Sequence, residues 1–362
     1  MSEPQSPALP FRVIDTGVRD GRANIAFDEA MIELHREGRI PDTVRFLRFE
    51  PTALVGRHQA ISQELKLDYC RDNGIGLARR ITGGGAIYFD TGVLGWELVL
   101  SRRRLALPGL ADYARQICES VADGLARAFA VPARYRPRND IEVEGRKLSG
   151  TGGFFDGDTL FYQGTVLIDV VPARVMSCLN VPRAKLEKRA LDSAEQRIVT
   201  LKELLGTVPP ANAIEMAVMD GLERGLGLAL ERADVSPDEE RLAAEIHRTS
   251  IGTDAFLFEI DRPEGSDVLA GDATSAGGTI AAYIRVEGPH GARRIREALV
   301  TGDFFITPPR LVLDLEAHLR GVAIGEAGDA VEAFFATHRP QMLSVTPADF
   351  RRAIEAALAA RA

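Results

Sequence analysis

Hydrophobic residues recur at helical spacing in two stretches of the chain. This spacing predicts amphipathic helices over residues 23–38 and 110–130, each with one face directed toward a core. A further helix is expected to begin after Thr346, because a threonine N-cap followed by proline is a common helix start. In the stretch 110–130 the apolar residues recur at every fourth position. These positions are Tyr113, Ile117, Val121, Leu125 and Phe129.

Alternating apolar and polar residues, or short apolar runs between turn residues, predict strands elsewhere. Four segments fit this description early in the chain: 43–50, 52–59, 84–90 and 94–100. The last two are separated by a Thr-Gly pair, so we expect them to form a hairpin. Residues 139–170 are typical of several short strands joined by Gly and Asp turns, and the charged stretch 181–206 favours helix.

The composition of the chain changes near Asp261. Residues 261–278 are rich in Gly, Pro, Ser and Asp, which predicts a loop or linker. Two strand-like segments and a helix follow at 279–286, 295–305 and 311–321. A chain of 362 residues also exceeds the size of a typical single core. We therefore expect an α+β protein with a large domain over 1–255 and a small α+β domain over 256–362.

Charge and composition narrow the classes of function. The net charge of −8 gives no support to a nucleic-acid-binding surface, which is normally basic. No apolar run is long enough to span a bilayer, and the first ten residues lack the features of a signal peptide, so a cytoplasmic protein without a membrane partner is expected. The three cysteines, Cys70, Cys118 and Cys178, are too widely spaced to suggest a disulfide framework or a metal site.

Three consecutive glycines stand out in the segment RRITGGGAIYFD, residues 79–90. Glycines let a ligand approach the main chain and can present several N–H groups to an anion, while Arg79 or Arg80 could add donors suited to phosphate or carboxylate. The same pattern also fits a tight hairpin at a strand start. It is neither a phosphate-binding Walker loop nor a dinucleotide fingerprint, because the glycines precede a strand.

Two further polar groups lie near predicted strand ends. Residues 139–153 place Asn139 and Asp140 before a strand and Lys147 between glycines, where a lysine can serve as a point charge for an anion. A solvated lysine in a hairpin is the alternative. The polar residues of 57–59, Arg-His-Gln, follow an apolar strand and could form the rim of a pocket.

These motifs together resemble the lipoate–protein ligases of the biotin/lipoate ligase superfamily. The resemblance spans nearly the whole chain, including a C-terminal part similar to the accessory domain of these ligases. It implies a class II synthetase-like catalytic domain, with a mixed or antiparallel sheet flanked by helices, and a small α+β accessory domain. The segments that carry it are 47–59, 79–90, 139–152, 161–170 and 178–201.

The resemblance implies that lipoate and ATP form lipoyl-adenylate and pyrophosphate, and that a lysine of a lipoyl-acceptor protein then takes the lipoyl group. This acceptor would be a lipoyl domain, a glycine-cleavage H-type protein or a lipoate-binding carrier protein. Lys147 would stabilise charge in both steps, Asn139 and Asp140 would lie near the adenosine and its Mg²⁺, and Thr165 would face the nucleotide. Residues of the glycine segment would hold the adenylate and line the ligand channel: Arg80, Thr82, Gly83, Gly84, Gly85, Ala86, Ile87 and Tyr88. The aliphatic lipoyl tail would need an apolar slot, for which the candidates are Val55, Leu77 and Trp96.

Three departures from the family leave alternatives open, and the first is Gly-Val-Leu-Gly-Trp at 92–96, where the family often has an Asn-rich segment. Phe89 and Gln163 stand where the family often has histidine, which puts the acyl donor in doubt. An octanoyltransferase of the same superfamily would use a cysteine thioester, for which Cys178 is the candidate. A biotin ligase is disfavoured because its Gly-Arg-Gly-Arg type loop is absent. A non-enzymatic module that binds an acyl ligand or a lipoylated domain is the remaining alternative.

Overall fold

The computed structural model describes residues 10–180, 197–275, 277–343 and 345–360. The strands are β1 (Pro10–Arg19), β2 (Thr43–Phe49), β3 (Thr52–Val55), β4 (Gly76–Arg79), β5 (Ile87–Phe89), β6 (Val93–Ser101), β7 (Arg134–Arg136), β8 (Asp140–Val143), β9 (Arg146–Asp156), β10 (Thr159–Leu167), β11 (Ala229–Arg232), β12 (Leu269–Ser275), β13 (Gly278–Glu287), β14 (Arg294–Gly302), β15 (Ile306–Thr307) and β16 (Gln341–Met342). The α-helices are α1 (Gly21–Arg36), α2 (Ile61–Glu64), α3 (Leu67–Asp72), α4 (Leu110–Phe129), α5 (Pro172–Cys178), α6 (Leu201–Leu205), α7 (Ala211–Leu226), α8 (Pro237–Ile246), α9 (Asp254–Leu257), α10 (Leu311–Leu319), α11 (Ala327–His338) and α12 (Pro347–Ala359).

The large sheet has eight strands in the order β11-β1-β2-β6-β10-β9-β8-β7. Strand β1 pairs in parallel with β2 and β11, and the other pairs are antiparallel, so the sheet is mixed. Helices α4 and α7 cover one face, where the apolar stripe of α4 is buried. Helix α1 covers the other face. This arrangement confirms the predicted α+β class and the predicted helices around residues 23–38 and 110–130.

The small sheet, in the order β4-β3-β5, lies beside the large one and has its own apolar cluster with helices α3 and α5. Its strand β5 pairs with β3, whereas β6 lies in the middle of the large sheet. The predicted hairpin of 84–90 with 94–100 is therefore wrong. The Thr-Gly connection carries the chain from one sheet to the other, and the Asp90 carboxylate accepts a hydrogen bond from the Gly92 amide at 2.8 Å.

The accessory sheet, in the order β12-β13-β14, forms a third core with helices α10, α11 and α12. Its first strand, β12, lies within the predicted linker 261–278, so that prediction was wrong for residues 269–275. Small residues explain the error, because a Cβ at Gly271 would lie 2.2 Å from the Ala357 amide nitrogen of α12. Close packing thus requires the composition that is typical of a loop.

Two expectations about organisation keep the status of predictions. The boundary between 1–255 and 256–362 is one of them. The helix expected over 181–206 is the other, because residues 181–196 lie outside the described residues. The described part of that span, 197–206, contains the short helix α6. Within the described ranges, no helix combines the length and the apolar character that crossing a bilayer requires.

Candidate active site

A cavity of about 1010 Å³ lies where the large sheet, the small sheet and the accessory sheet meet. One end is lined by apolar side chains of α1, β2 and β5, and the other by charged side chains of β8 and β9. The glycine loop at 83–85 also lines the cavity. The three parts of the protein therefore contribute to a single site with an apolar end and a charged end.

Lys147 lies at the charged end. Its Nζ is 2.8 Å from Oδ1 of Asp140, and its side chain is 35% exposed, so the ammonium is fixed yet reachable from the cavity. The side chain passes over Gly150, where a Cβ would lie 2.4 Å from Nζ. The glycine beside Lys147 therefore leaves room for the lysine itself, and the result is a preorganised cation.

Asp140 holds this lysine in place. Its second oxygen forms an ion pair with Arg136. Burial alone would raise the pKa of Asp140, but the charge and hydrogen bond of Lys147, together with Arg136, lower that pKa below its ordinary value. Both carboxylate oxygens are thus engaged by cations. The carboxylate of Asp140 therefore positions Lys147, while the expected place of Asp140 near a nucleotide and its Mg²⁺ stays a prediction.

Asn139 and Thr165 also lie at the charged end. The Asn139 amide donates to the Thr151 carbonyl at 2.6 Å, and Thr165 Oγ1 accepts from the Gly150 amide at 3.2 Å. Both side chains therefore fix strand β9 around Lys147. The structure brings all four predicted residues of this region together, while their roles toward a nucleotide stay predictions.

Arg80 lines the cavity and is buried. Its Nη2 donates to the carbonyls of Gly83 and Gly85, whereas Nη1 has no partner within the described part of the chain. Burial lowers the pKa of Arg80 to about 10, so the group stays charged at neutral pH. A buried guanidinium without a paired carboxylate is well suited to bind an anionic ligand.

The neighbouring Arg79 has a different role. It is also buried, and its guanidinium donates to five backbone carbonyls, those of Gly56, Arg57, Gln59, Leu257 and Ile260. These carbonyls belong to the loop after β3, to the last residue of α9 and to the segment after α9. Arg79 therefore joins β4 and the loop after β3 to the segment that leads into the accessory sheet. Of the two arginines, Arg80 is the one that lines the cavity.

The glycine loop packs against the accessory part of the chain. Gly84 has a φ of +95°, which favours glycine, and its amide donates to the Phe304 carbonyl at 3.1 Å. A Cβ at Gly83 would lie 2.1 Å from the same Phe304 oxygen. The Gly84 amide is thus engaged by Phe304 and is not among the N–H groups that the loop offers to a ligand. Close contact between two parts of the chain explains the absence of side chains at Gly83 and Gly84.

The strand after this loop separates its residues by face. Ile87 lines the cavity, whereas Tyr88 is buried in the core of the small sheet and Ala86 packs against that core. Alternation of side chains along a strand explains the difference. Thr82 is buried, and its hydroxyl accepts a hydrogen bond from the Gln163 amide at 2.7 Å. Ala86, Ile87 and Tyr88 were all expected to line the channel, and of these three residues Ile87 lines the cavity.

The apolar end has a different lining from the expected one. Val55 and Leu77 pack in the core of the small sheet, and Trp96 is buried on the opposite face of the large sheet. Alternation along β6 turns Gly95 and Glu97 toward the cavity instead. The apolar residues that line this end are Ile25, Leu47, Phe49, Ile87 and Phe89.

A buried acidic pair meets a single arginine behind the apolar end. Arg45 Nη1 lies 2.6 Å from Asp28 and 3.0 Å from Glu97, and all three side chains are at most 3% exposed. Burial, with the charge of Glu97, raises the pKa of Asp28, and burial also raises the pKa of Glu97. Asp28 Oδ2 has no partner among the described groups. Two acids thus share one cation and retain a proton more readily than free carboxyls.

The three cysteines all lie within the described residues, and none of them lines the cavity. Cys178 is buried beside Cys70 in the core of the small sheet, and burial raises its pKa to about 12. Cys118 is buried on α4, and burial raises its pKa to about 11. A thioester nucleophile should be an exposed thiolate, and no cysteine here has that character.

The polar residues at 57–59 do not line the cavity. Arg57 forms an ion pair with Glu259 at 2.8 Å, and His58 is buried against the ring of Phe304. Burial, with the charges of Arg57 and Arg79, lowers the pKa of His58 to about 3, so the ring is neutral. Arg57 and His58 therefore attach the loop after β3 to Glu259 and Phe304, in the C-terminal part of the chain.

The lining residues that the sequence did not indicate include Glu97, Arg138 and Phe305. Trp96 was chosen as a lining candidate in place of its neighbour Glu97. The alternation of side chains between the two faces of a strand shows that only one of the two can line the cavity. Arg138 adopts a φ of +105°, which is uncommon for a residue with a side chain, and no local pattern indicated it. Phe305 reaches the cavity from the accessory part, far away in sequence.

Comparison with known proteins agrees with this architecture. The octanoyltransferase LipM of Geobacillus kaustophilus is 27% identical over 273 residues, which cover 69% of this chain and 98% of the relative. The bipartite lipoate protein ligase of Thermoplasma acidophilum, studied with its E2 lipoyl domain, has a TM-score of 0.62 and 24% identity over 71% of this chain and 99% of that one. A crystal structure of lipoate-protein ligase A bound with ATP has a TM-score of 0.61 and 23% identity over 69% and 99% of the two chains.

The two structural likenesses show that the chain has the fold of lipoate ligases. The family of the lipoyl protein ligase A/B catalytic domain matches residues 20–223, a span that includes the glycine loop, Lys147 and most strands of the large sheet. The chain therefore belongs to the lipoyl protein ligase A/B catalytic domain family.

Proposed function

We propose that the protein is an ATP-dependent lipoate–protein ligase. One observation carries this proposal: a single cavity joins an apolar end to two cations, Arg80 and Lys147, and no cysteine lines it. An apolar tail that ends in a carboxylate fits the first part of the cavity, and a phosphate fits the second. The relatives with lipoate ligase names and the structure bound with ATP support this choice.

In the proposed first step, an oxygen of the lipoate carboxylate attacks the α-phosphorus of ATP. A new P–O bond forms, the bond to the β-phosphate oxygen breaks, and pyrophosphate leaves. Negative charge accumulates on the oxygens around the α-phosphorus, where a fixed ammonium lowers the barrier. Lys147 supplies this cation, and Arg80 is placed to hold the carboxylate end of the acyl chain.

In the proposed second step, the neutral ε-amino group of an acceptor lysine attacks the carbonyl carbon of the mixed anhydride. The C–N bond forms, the bond between the carbonyl carbon and the phosphate oxygen breaks, and AMP leaves while the amine loses a proton. Lys147 again faces developing negative charge. A lipoyl domain is the proposed acceptor class, since the ligase of Thermoplasma acidophilum was studied with such a domain.

Mg²⁺ is expected to enter as its complex with ATP, because ATP phosphates commonly supply most of its ligands besides water. Within the described residues, no group of three His, Cys, Asp or Glu side chains is arranged to hold a metal ion. The carboxylate beside Lys147, that of Asp140, is already paired with Lys147 and Arg136. No step is therefore assigned to a protein-bound metal.

The decisive experiment incubates the protein with ATP, Mg²⁺, lipoate and an unmodified lipoyl domain, and measures the mass of the domain. We expect a lipoyl mass gain that disappears when ATP is omitted. A matched reaction supplies octanoyl-acyl carrier protein without ATP. Modification in that reaction alone would overturn the ligase assignment in favour of an octanoyltransferase.

The octanoyltransferase is the second candidate because relatives such as LipM carry that name. It would need a cysteine nucleophile, and Cys178 is the residue that the sequence suggested. Its burial and raised pKa argue against this role.

We predict that Cys178→Ala retains acceptor modification within about threefold of the unaltered protein, because removal of a buried thiol changes packing but no reacting group. The rate of acceptor modification measures this, with Cys70→Ala as the matched control from the same core. A loss of all acyl transfer in Cys178→Ala, with Cys70→Ala still active, would contradict the prediction.

A further inference from the structure

The segment 302–307, which follows β14, contributes Asp303 and Phe305 to the cavity wall and is held on both sides of Phe305. At one end the Phe304 carbonyl accepts from the Gly84 amide at 3.1 Å. At the other end Thr307 Oγ1 accepts from the Phe155 amide at 2.8 Å and donates to the Phe155 carbonyl at 3.1 Å. Phe305 lies between these two anchors, so its position is fixed from both sides.

The Phe305 ring fits between two glycines of the catalytic region. A Cβ at Gly84 would lie 2.6 Å from Cζ of the ring, and a Cβ at Gly152 would lie 2.2 Å from Cε1. Both distances are far shorter than an ordinary van der Waals contact, which is 3.4 Å or more. The ring therefore occupies space that exists because these two positions carry no side chain.

This place relates the ring to both cations of the site. Gly84 belongs to the loop whose carbonyls, those of Gly83 and Gly85, accept from Arg80. Gly152 is two residues beyond Gly150, over which Lys147 lies. The ring thus lines the cavity between the loop of Arg80 and the strand of Lys147. Under the proposed function, the acyl–phosphate bond would lie in this part of the cavity.

We propose that Phe305 is a positioning residue that keeps water away from the acyl-adenylate between the two steps. This inference rests on the proposed ligase function. An acyl-adenylate is a mixed anhydride, and water can attack its carbonyl carbon in place of the acceptor lysine. A C–O bond then forms, the bond to the phosphate oxygen breaks, and free lipoate and AMP are released. An apolar ring over the bond excludes the water that this side reaction requires.

The test measures AMP released per lipoyl group attached, with ATP, lipoate and a limiting lipoyl domain. For the unaltered protein we expect a ratio of about one, and for Phe305→Ala a ratio raised about threefold or more. Phe305→Leu retains apolar bulk and should keep a ratio close to that of the unaltered protein. Gly152→Ala leaves Phe305 in the chain but displaces its ring, so it should also raise the ratio. Leu313→Ala, an exposed change in the same part of the chain, is the control.

The outcomes separate the two proposals. If the unaltered protein releases no AMP from ATP and lipoate when the lipoyl domain is present, the proposed function itself fails. If it does, and the ratio in Phe305→Ala and Gly152→Ala equals that of Leu313→Ala, the role of Phe305 is overturned even when both variants are slower. A raised ratio in both variants, with a low ratio in Phe305→Leu, supports it. Gly152→Ala keeps the test valid if Phe305→Ala fails to fold.

Discussion

Replacement of Lys147 by alanine is expected to lower the rate of adenylate formation by about 10²–10³-fold, the usual loss when a preorganised charge-stabilising group is removed. Its ammonium is fixed by Asp140 at 2.8 Å and faces the cavity. The measurement is ATP–pyrophosphate exchange with lipoate. Folding should be retained, because Asp140 keeps its ion pair with Arg136.

Lys202→Ala is the matched control for this variant. Lys202 also pairs with an aspartate at 2.8 Å, Asp169, but it does not line the cavity. We expect exchange close to that of the unaltered protein. An exchange rate in Lys147→Ala equal to that in Lys202→Ala would show that Lys147 takes no part in adenylation.

Replacement of Arg45 by leucine is expected to cost about 3–5 kcal/mol of the free energy of unfolding, because it leaves buried carboxyls without their cation. Arg45 also donates to Thr16 and to Asn24, whose oxygens would lose their donor. Urea denaturation measures the loss. Arg48→Leu, at a partly exposed ion pair on the same strand, should cost about 0–1 kcal/mol. Equal losses in the two variants would contradict the assigned role of Arg45.

Asp28→Asn is expected to make the stability of the protein less dependent on pH. The pKa of Asp28 is raised in the folded state, chiefly by burial. A group of this kind stabilises the fold below its unfolded pKa of about 3.9, and the contribution is lost as pH rises toward the folded pKa. Asparagine has no such proton, so the variant should gain stability relative to the unaltered protein as pH rises above about 4. Unfolding curves at a series of pH values test this, and a constant difference between the two proteins would refute it.

The sequence was sufficient for elements whose signal is local. Apolar residues at every fourth position around Tyr113 and Val121 predicted α4, because a helix with one buried face shows this spacing in any fold. Asp140 and Lys147 were predicted to share a site, and they meet because β8 and β9 pair as neighbours. The resemblance to lipoate ligases added the family, which the match of residues 20–223 shows.

The sequence was insufficient wherever a side chain is defined by its surroundings. Arg79 and Arg80 are adjacent and chemically identical, yet one binds five carbonyls and the other faces the cavity. Their different roles depend on where strand β4 ends, because Arg79 is its last residue and Arg80 follows it. Trp96 was a reasonable candidate for the apolar slot by its type, but its strand turns it to the opposite face. Nothing near Phe305 in sequence indicates that its ring packs on Gly84 and Gly152.

The contact of Phe305 with Gly84 has a consequence for the order in which the site is completed during synthesis. Arg80 and Lys147 leave the ribosome well before residue 305 does. Until then, the side of the cavity that the ring covers stays open, whatever else has folded. A newly made chain therefore acquires both cations of the site first, and acquires the wall between them only after residue 305 has also been made.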